Sequence, residues 1–319
     1  MTGGLAAWLG FTAPSAVALI ALAILTGPVD LSTAGWVHGL KLATVAVVAQ
    51  AVWLMAASLL TDVRRRALAV VALVVALAWA VPFAQVVIIA GGAVAGWALL
   101  SGGSAAPALD EGGLVPRWLS LLCLALFAGL LAGLAIARAV SDDHLIAFLD
   151  AFYRAGALVF GGGHVVLPLL HATVVDPGWV GDDRFLAGYG AAQAVPGPLF
   201  TFAGYLGAAS SGTPTGAIGG LIALVAIFLP SFLLVFGILP FWADLRRSDA
   251  VRRALAGTNA AVVGLLAAAL YTPVWTGAVV APGDVAVAGI ALAALLSRRV
   301  PVVAVVAACA IAGQVLGPR

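Results

Sequence analysis

Two short phrases in this chain carry residue types whose spacing points to chemistry. The first is Gly161-Gly162-Gly163-His164, and the second is Pro196-Gly197-Pro198, with Gln193 just before it and Thr201 just after. In a helix each glycine costs roughly 1 kcal/mol against alanine and each proline about 3 kcal/mol. Both phrases therefore break helices, and both lie in apolar surroundings. Interrupted backbone at membrane depth is tolerated only where protein buries it or where it lines a wet cavity. Where a helix resumes after such a break, its first N–H groups and the positive end of its dipole suit an anion. The other reading is that the glycines let helices pack closely, the prolines make a sharp turn, and the polar side chains bond between helices for ~0.6 kcal/mol each.

Candidate substrate-binding residues are accordingly Gly161, Gly162, Gly163 and His164 at the first break. At the second they are Gln193, Pro196, Gly197, Pro198 and Thr201. Lys41 joins them as the single lysine, set inside an apolar span one turn after Trp36 and His38. An ionisable group within a membrane is a functional candidate by default; the alternative is that Lys41 snorkels to the interface. Asn259 takes the equivalent place in a later span and is the last candidate. Arg154 either faces a cavity or pairs with Asp150 one turn earlier. No catalytic triad, metal-ligand spacing or phosphate loop is visible, because no Lys-Ser/Thr follows the glycines. No cofactor is expected. The acidic residues lie mostly at predicted loops and helix ends, which disfavours an enzyme acting within the bilayer.

The elements that position these residues are membrane helices. The 319 residues are 64% hydrophobic and 9% charged, with a mean hydropathy of +1.17, and apolar runs long enough to cross a ~30 Å hydrocarbon core recur throughout. A formal net charge of +2 gives no footprint for a nucleic-acid partner. Cys123 and Cys309 both sit in apolar segments and read as small core residues. All but one of the fifteen basic residues are arginine, a bias expected of a bacterial source. No basic region precedes the apolar helix at Gly3, so no signal peptide is expected.

Hydropathy predicts spans over 3–25, 36–60, 67–81, 84–100 and 118–140, broken segments over 144–213, and spans over 215–240, 257–272, 284–297 and 300–316. The Gly/Ser/Pro stretch 101–117 is a linker. The fold class is thus all-α, a polytopic transmembrane protein with discontinuous helices. The end of the chain also repeats its beginning. Gly3, Gly4, Pro14 and Ser15 align with Gly219, Gly220, Pro230 and Ser231; Gly39 and Lys41 align with Gly257 and Asn259.

Basic residues alternate between equivalent loops. Arg64–Arg66 has no counterpart between Thr272 and Asp284, whereas Arg246, Arg247, Arg252 and Arg253 answer an arginine-free first loop. Because cytoplasmic loops collect Arg and Lys, the two copies are expected to be inverted repeats. Residues 1–100 form a partial N-terminal repeat and 118–319 a complete C-terminal one. A counterpart of Trp118–Thr215 is missing ahead of Gly3. Either about 90 to 100 further residues precede it in an inverted-repeat carrier, or the chain assembles with a second half-protein or another copy of itself.

In these phrases the chain resembles the chromate ion transporter family. The resemblance rests on Phe160-Gly161-Gly162-Gly163 followed by Leu167-Pro168-Leu169-Leu170, on Gly178-Trp179, and above all on Gln193-Ala194-Val195-Pro196-Gly197-Pro198-Leu199-Phe200-Thr201-Phe202. Gly257-Thr258-Asn259-Ala260-Ala261 and Pro273-Val274-Trp275-Thr276 support it, as do Gly39-Leu40-Lys41 and Ala49-Gln50-Ala51. It departs from the family in lacking the first half's own Phe-Gly-Gly-Pro and Pro-Gly-Pro-Thr phrases, and in carrying His164 where a tyrosine is expected. The resemblance implies a multi-pass carrier of the bacterial inner membrane that exports chromate without ATP. The alternatives are a carrier of sulfate or another tetrahedral oxyanion, a membrane-embedded enzyme, and a non-functional truncated remnant.

Overall fold

The computed structural model describes residues 2–27, 34–79, 84–101, 115–159 and 163–317. Four helices come first: α1 (Thr2–Thr26), α2 (Gly35–Leu59), α3 (Val63–Ala78) and α4 (Ala84–Leu99). Then come α5 (Arg117–Val140), α6 (His144–Ala157), a short α7 (Val166–Leu170) inside the helical run Gly163–Val175, α8 (Asp182–Ala194) and α9 (Phe202–Ala209). The last are α10 (Gly216–Ile238), α11 (Trp242–Arg247), α12 (Asp249–Ala269), α13 (Thr276–Ala278), α14 (Pro282–Leu296) and α15 (Val302–Leu316). Among the described residues there is no strand. Among the described residues five helical runs are long and apolar enough to cross a membrane: those of α1, α2, α5 and α10, and that running from α12 through α13. The chain is an all-α, multi-pass membrane protein. In the α5 span only 11% of the residues are buried; Leu121, Leu126 and Ile136 face outward, as suits a lipid solvent.

Helix starts follow local capping. Asp62 accepts the Arg65 N–H at 2.9 Å and opens α3 four residues before the predicted span, so Arg64–Arg66 lie in its first turn. Asp143 caps α6 by accepting from Leu145 at 2.7 Å. α12 likewise starts at Asp249 rather than at 257, because Asp249 pairs with Arg252 and Arg253 in its first turn. Polar ends of this kind are invisible to a hydropathy window. The expected hairpin tip at Val81-Pro82 and most of the linker 101–117 lie outside the described residues.

The chain forms two compact units. The first comprises Met1–Leu54, Val166–Leu224 and Leu266–Arg319; the second comprises Met55–Val165 and Val225–Leu265. Each combines the second helix of one predicted copy with the helical pair of the other. In the first unit, Gly39 of α2 meets the Cys309 carbonyl, and Gly35 lies against Gly313 of α15. In the second unit, Gly257 of α12 meets the Gly92 carbonyl and Gly96 of α4. A side chain at any of these glycines would strike backbone, so each contact depends on small residues that let helices approach closely. Gly39 and Gly257, aligned in the sequence expectation, each meet the backbone of a neighbouring helix.

Candidate functional site

Residues 182–209 form a broken helical hairpin in the first unit. α8 ends at Ala194, and Val195 turns extended (φ −96°, ψ 125°), as a residue before proline must. Pro196 and Pro198 have no N–H to continue a helix. The chain re-forms a tight turn over Leu199–Thr201 and then enters α9. Thr201 fixes that turn, donating from its backbone N–H at 2.9 Å and its hydroxyl at 2.8 Å to the Pro198 carbonyl. Its proton is thus used locally. The Leu199 N–H precedes the first intrahelical bond of α9, the position where helices present donors to anions.

α9 folds back along α8. Phe202 packs edge-on against Phe185 (5.2 Å) and Tyr189 (5.5 Å), and stacks with Tyr205. Gly188 leaves room for the Tyr205 ring. α1 runs alongside. At the base of the hairpin, Arg184 donates to the Thr26 and Gly27 carbonyls at 3.1 and 3.0 Å. At the tip, Gly197 lies against Ser15, and the position of a Cβ there would be 3.5 Å from the Phe11 carbonyl. Ser15 stands near the middle of the apolar helix Ala6–Thr26, so the Pro-Gly-Pro turn lies level with the middle of that helix. The glycine is needed because any side chain would collide with Ser15. Gln193, one turn before the tip, has its Nε2 buried with no hydrogen-bond partner.

Lys41 lies elsewhere. Its Nζ is 2.7 Å from Asp183 Oδ1 and 3.4 Å from the Gly277 carbonyl. Lys41 thus neither snorkels outward nor reaches the break: Asp183 and Gln193 stand ten residues apart on α8, about 15 Å at the helical rise. The same end of the first unit gathers other ionisable groups that the sequence did not single out. Buried His38 contacts buried Asp284 at 2.8 Å, and Asp284 accepts the Val280 and Ala281 amides. His171 lies 2.8 Å from Asp182. This end ties α2, α8 and α14 together by charge.

The remaining candidates fall in the second unit. Gly161 and Gly162, with Phe160, lie outside the described residues. Gly163 opens the helical run that resumes after the first break, and His164 is partly buried in its first turn. Asn259 is partly buried on α12, two residues past Gly257. Arg154 does not stand alone. It and Arg138 both pair with the buried Asp150, leaving one net positive charge in that trio. Among the described residues no three His, Cys, Asp or Glu side chains are placed to hold a metal ion. A groove of about 330 Å³ between α2 and α14, lined by Ala46, Leu270, Tyr271, Trp275 and Leu292, is too apolar for an oxyanion.

The family model described as chromate transporter matches residues 1–97 and 146–314. The chain is 30% identical over 332 aligned residues to the chromate transport protein of Pseudomonas aeruginosa, covering 99% of this chain and 76% of that protein. It is 32% identical over 120 residues to a probable chromate transport protein of Synechococcus elongatus, covering 37% of this chain and 30% of that relative. It is 30% identical over 131 residues to the chromate transport protein of Cupriavidus metallidurans, covering 40% of this chain and 32% of that relative. The chain therefore spans about three quarters of the first of these proteins and about a third of the other two. No solved structure matches it.

Proposed function

This chain belongs to the chromate transporter family, and we propose on that premise that it is a secondary carrier that exports chromate across the bacterial inner membrane without ATP. The observation that carries this reading is the Pro-Gly-Pro turn beside Ser15, halfway along a membrane span, with the buried unpaired amide of Gln193 next to it. A tetrahedral dianion needs several converging donors to offset its lost hydration. Gln193 Nε2, the Leu199 N–H and the positive end of α9 supply such donors without a fixed cation. Neutral donors hold the anion weakly enough to release it, which suits a carrier. Substrate binding at this turn assigns the working roles to Gln193 and to the backbone after Pro198, and makes Gly197 the residue that admits α1.

The arrangement of small-residue contacts supports reading 1–100 and 118–319 as two repeats joined by 101–117. The alternating arginines support an inverted orientation, with export driven by exchange or by protons. Sulfate has nearly the same size and charge as chromate, so competition decides between them. The test is chromate accumulation in cells. Cells expressing the chain should hold less chromate than vector controls, sulfate should compete only weakly, and Gln193→Ala should shrink the difference at low external chromate. Unchanged accumulation with the wild-type chain in the membrane would overturn the reading.

A further inference from the structure

We propose that Thr12 of α1 is a further substrate-binding residue, its hydroxyl donating to the oxyanion held at the Pro-Gly-Pro turn; this rests on the carrier reading above. Thr12 is 4% exposed, and its Oγ1 is buried without a hydrogen-bond partner. Burying a hydroxyl unpaired is costly. Helical threonines elsewhere in the chain avoid that cost by donating one turn back: Thr26 to the Leu22 carbonyl at 2.7 Å, Thr44 to Leu40 at 3.1 Å, and Thr173 to Leu169 at 3.0 Å. Thr12 makes no such bond. Its own carbonyl accepts from Ser15 Oγ at 2.9 Å, but its hydroxyl is left over.

The position of that hydroxyl gives it a use. Ser15 is three residues on from Thr12, so both lie on one face of α1. That face meets Gly197, and the neighbouring Phe11 carbonyl approaches the same glycine. Thr12 thus lies within one helical turn of the residue against which Gly197 is seated. Gln193, with the other unpaired buried donor, approaches the turn from α8. α1 and α8 thus each carry one unsatisfied buried polar group within about one helical turn of where they meet the proline-broken segment before α9. A hydroxyl, a carboxamide and a helix N-terminus form a donor set for a tetrahedral oxyanion. A cation would need carboxylates, and the turn has none.

The test uses the full chain purified in detergent, with Thr12→Val and Thr12→Ser beside the wild type, melted with and without chromate and titrated with chromate and sulfate. Thr12→Val should leave the ligand-free melting temperature unchanged or raised, because no hydrogen bond is lost, and weaken chromate affinity about tenfold, the effect of losing one hydrogen bond to a charged group. Thr12→Ser should restore it. Thr12→Ala reads the same difference if the valine protein does not fold. Wild-type affinity in the hydroxyl-free variant, or a lowered ligand-free melt with affinity intact, overturns the role of Thr12 and leaves the carrier reading in place. A wild type that binds neither anion overturns the carrier reading and this assignment with it.

Discussion

Lys41 Nζ lies 2.7 Å from Asp183 Oδ1, joining the start of α2 to the first turn of α8. The pair is lopsided: the lysine side chain is 9% exposed and the carboxylate 44%. Neutralising Asp183 strands a buried ammonium, whereas neutralising Lys41 leaves a carboxylate that water can reach. Asp183→Asn should therefore lower stability more than Lys41→Met, by about 1–2 kcal/mol; solvent around Asp183 keeps the effect below that of a fully buried pair. The double variant should be more stable than the sum of the singles predicts. Denaturant melts in detergent measure this, and equal losses in the two single variants would refute it.

The expected repeat pairs Gly39 with Gly257, and in each unit a Cβ at that glycine would collide with the backbone of a neighbouring helix. Gly39→Val and Gly257→Val should each cost about 1–3 kcal/mol, the price of overpacking a tight contact. Gly129→Val and Gly133→Val on α5, where nothing lies within 4 Å of the added atom, should change stability by less than about 0.5 kcal/mol. Thermal melts of the four variants check this. A tolerant Gly257 would break the equivalence.

Gln193→Ala should raise the chromate concentration for half-maximal transport about tenfold, since one donor to a charged group is lost. Ligand-free stability should hardly move, because Nε2 has no partner to lose. Gln193→Glu should be worse still, by placing a negative charge beside the dianion. Uptake into inverted membrane vesicles, measured across chromate concentrations, separates the variants. A pure loss of protein yield would point to a structural amide instead.

The break at Pro196-Gly197-Pro198 was legible because prolines act locally on the backbone, and the long spans because hydropathy accumulates over a window. What stayed hidden was set by long-range contact. Asp183 is 142 residues from Lys41, and Asp284 is 246 from His38, so no spacing rule joins them. Lys41, by sequence a candidate for the substrate or for the interface, is tied to Asp183 at the far end of α8 from the proline break. Nothing in the sequence distinguishes Thr12; only its buried hydroxyl without a partner marks it in the fold. Arg154 and Asp150 were readable as a pair one turn apart, but the second guanidinium, Arg138, comes from the preceding helix.

Gly197 offers the sharpest test of how the turn is seated. A methyl group there would enter the space of Ser15 Oγ and Cβ, and Ser15 is only 1% exposed on a helix held by Gly197 at one level and by Arg184 at another. The serine cannot retreat without moving α1. Gly197→Ala should therefore destabilise the protein by about 1–3 kcal/mol and reduce transport. Removing the obstructing side chain should relieve the clash, so Gly197→Ala combined with Ser15→Gly should recover part of both losses, even though Ser15→Gly alone weakens α1 by roughly 1 kcal/mol. Melting and chromate uptake of the two single variants and the double decide the matter. A double variant no better than Gly197→Ala alone would mean that the glycine serves the turn's own backbone rather than its contact with α1.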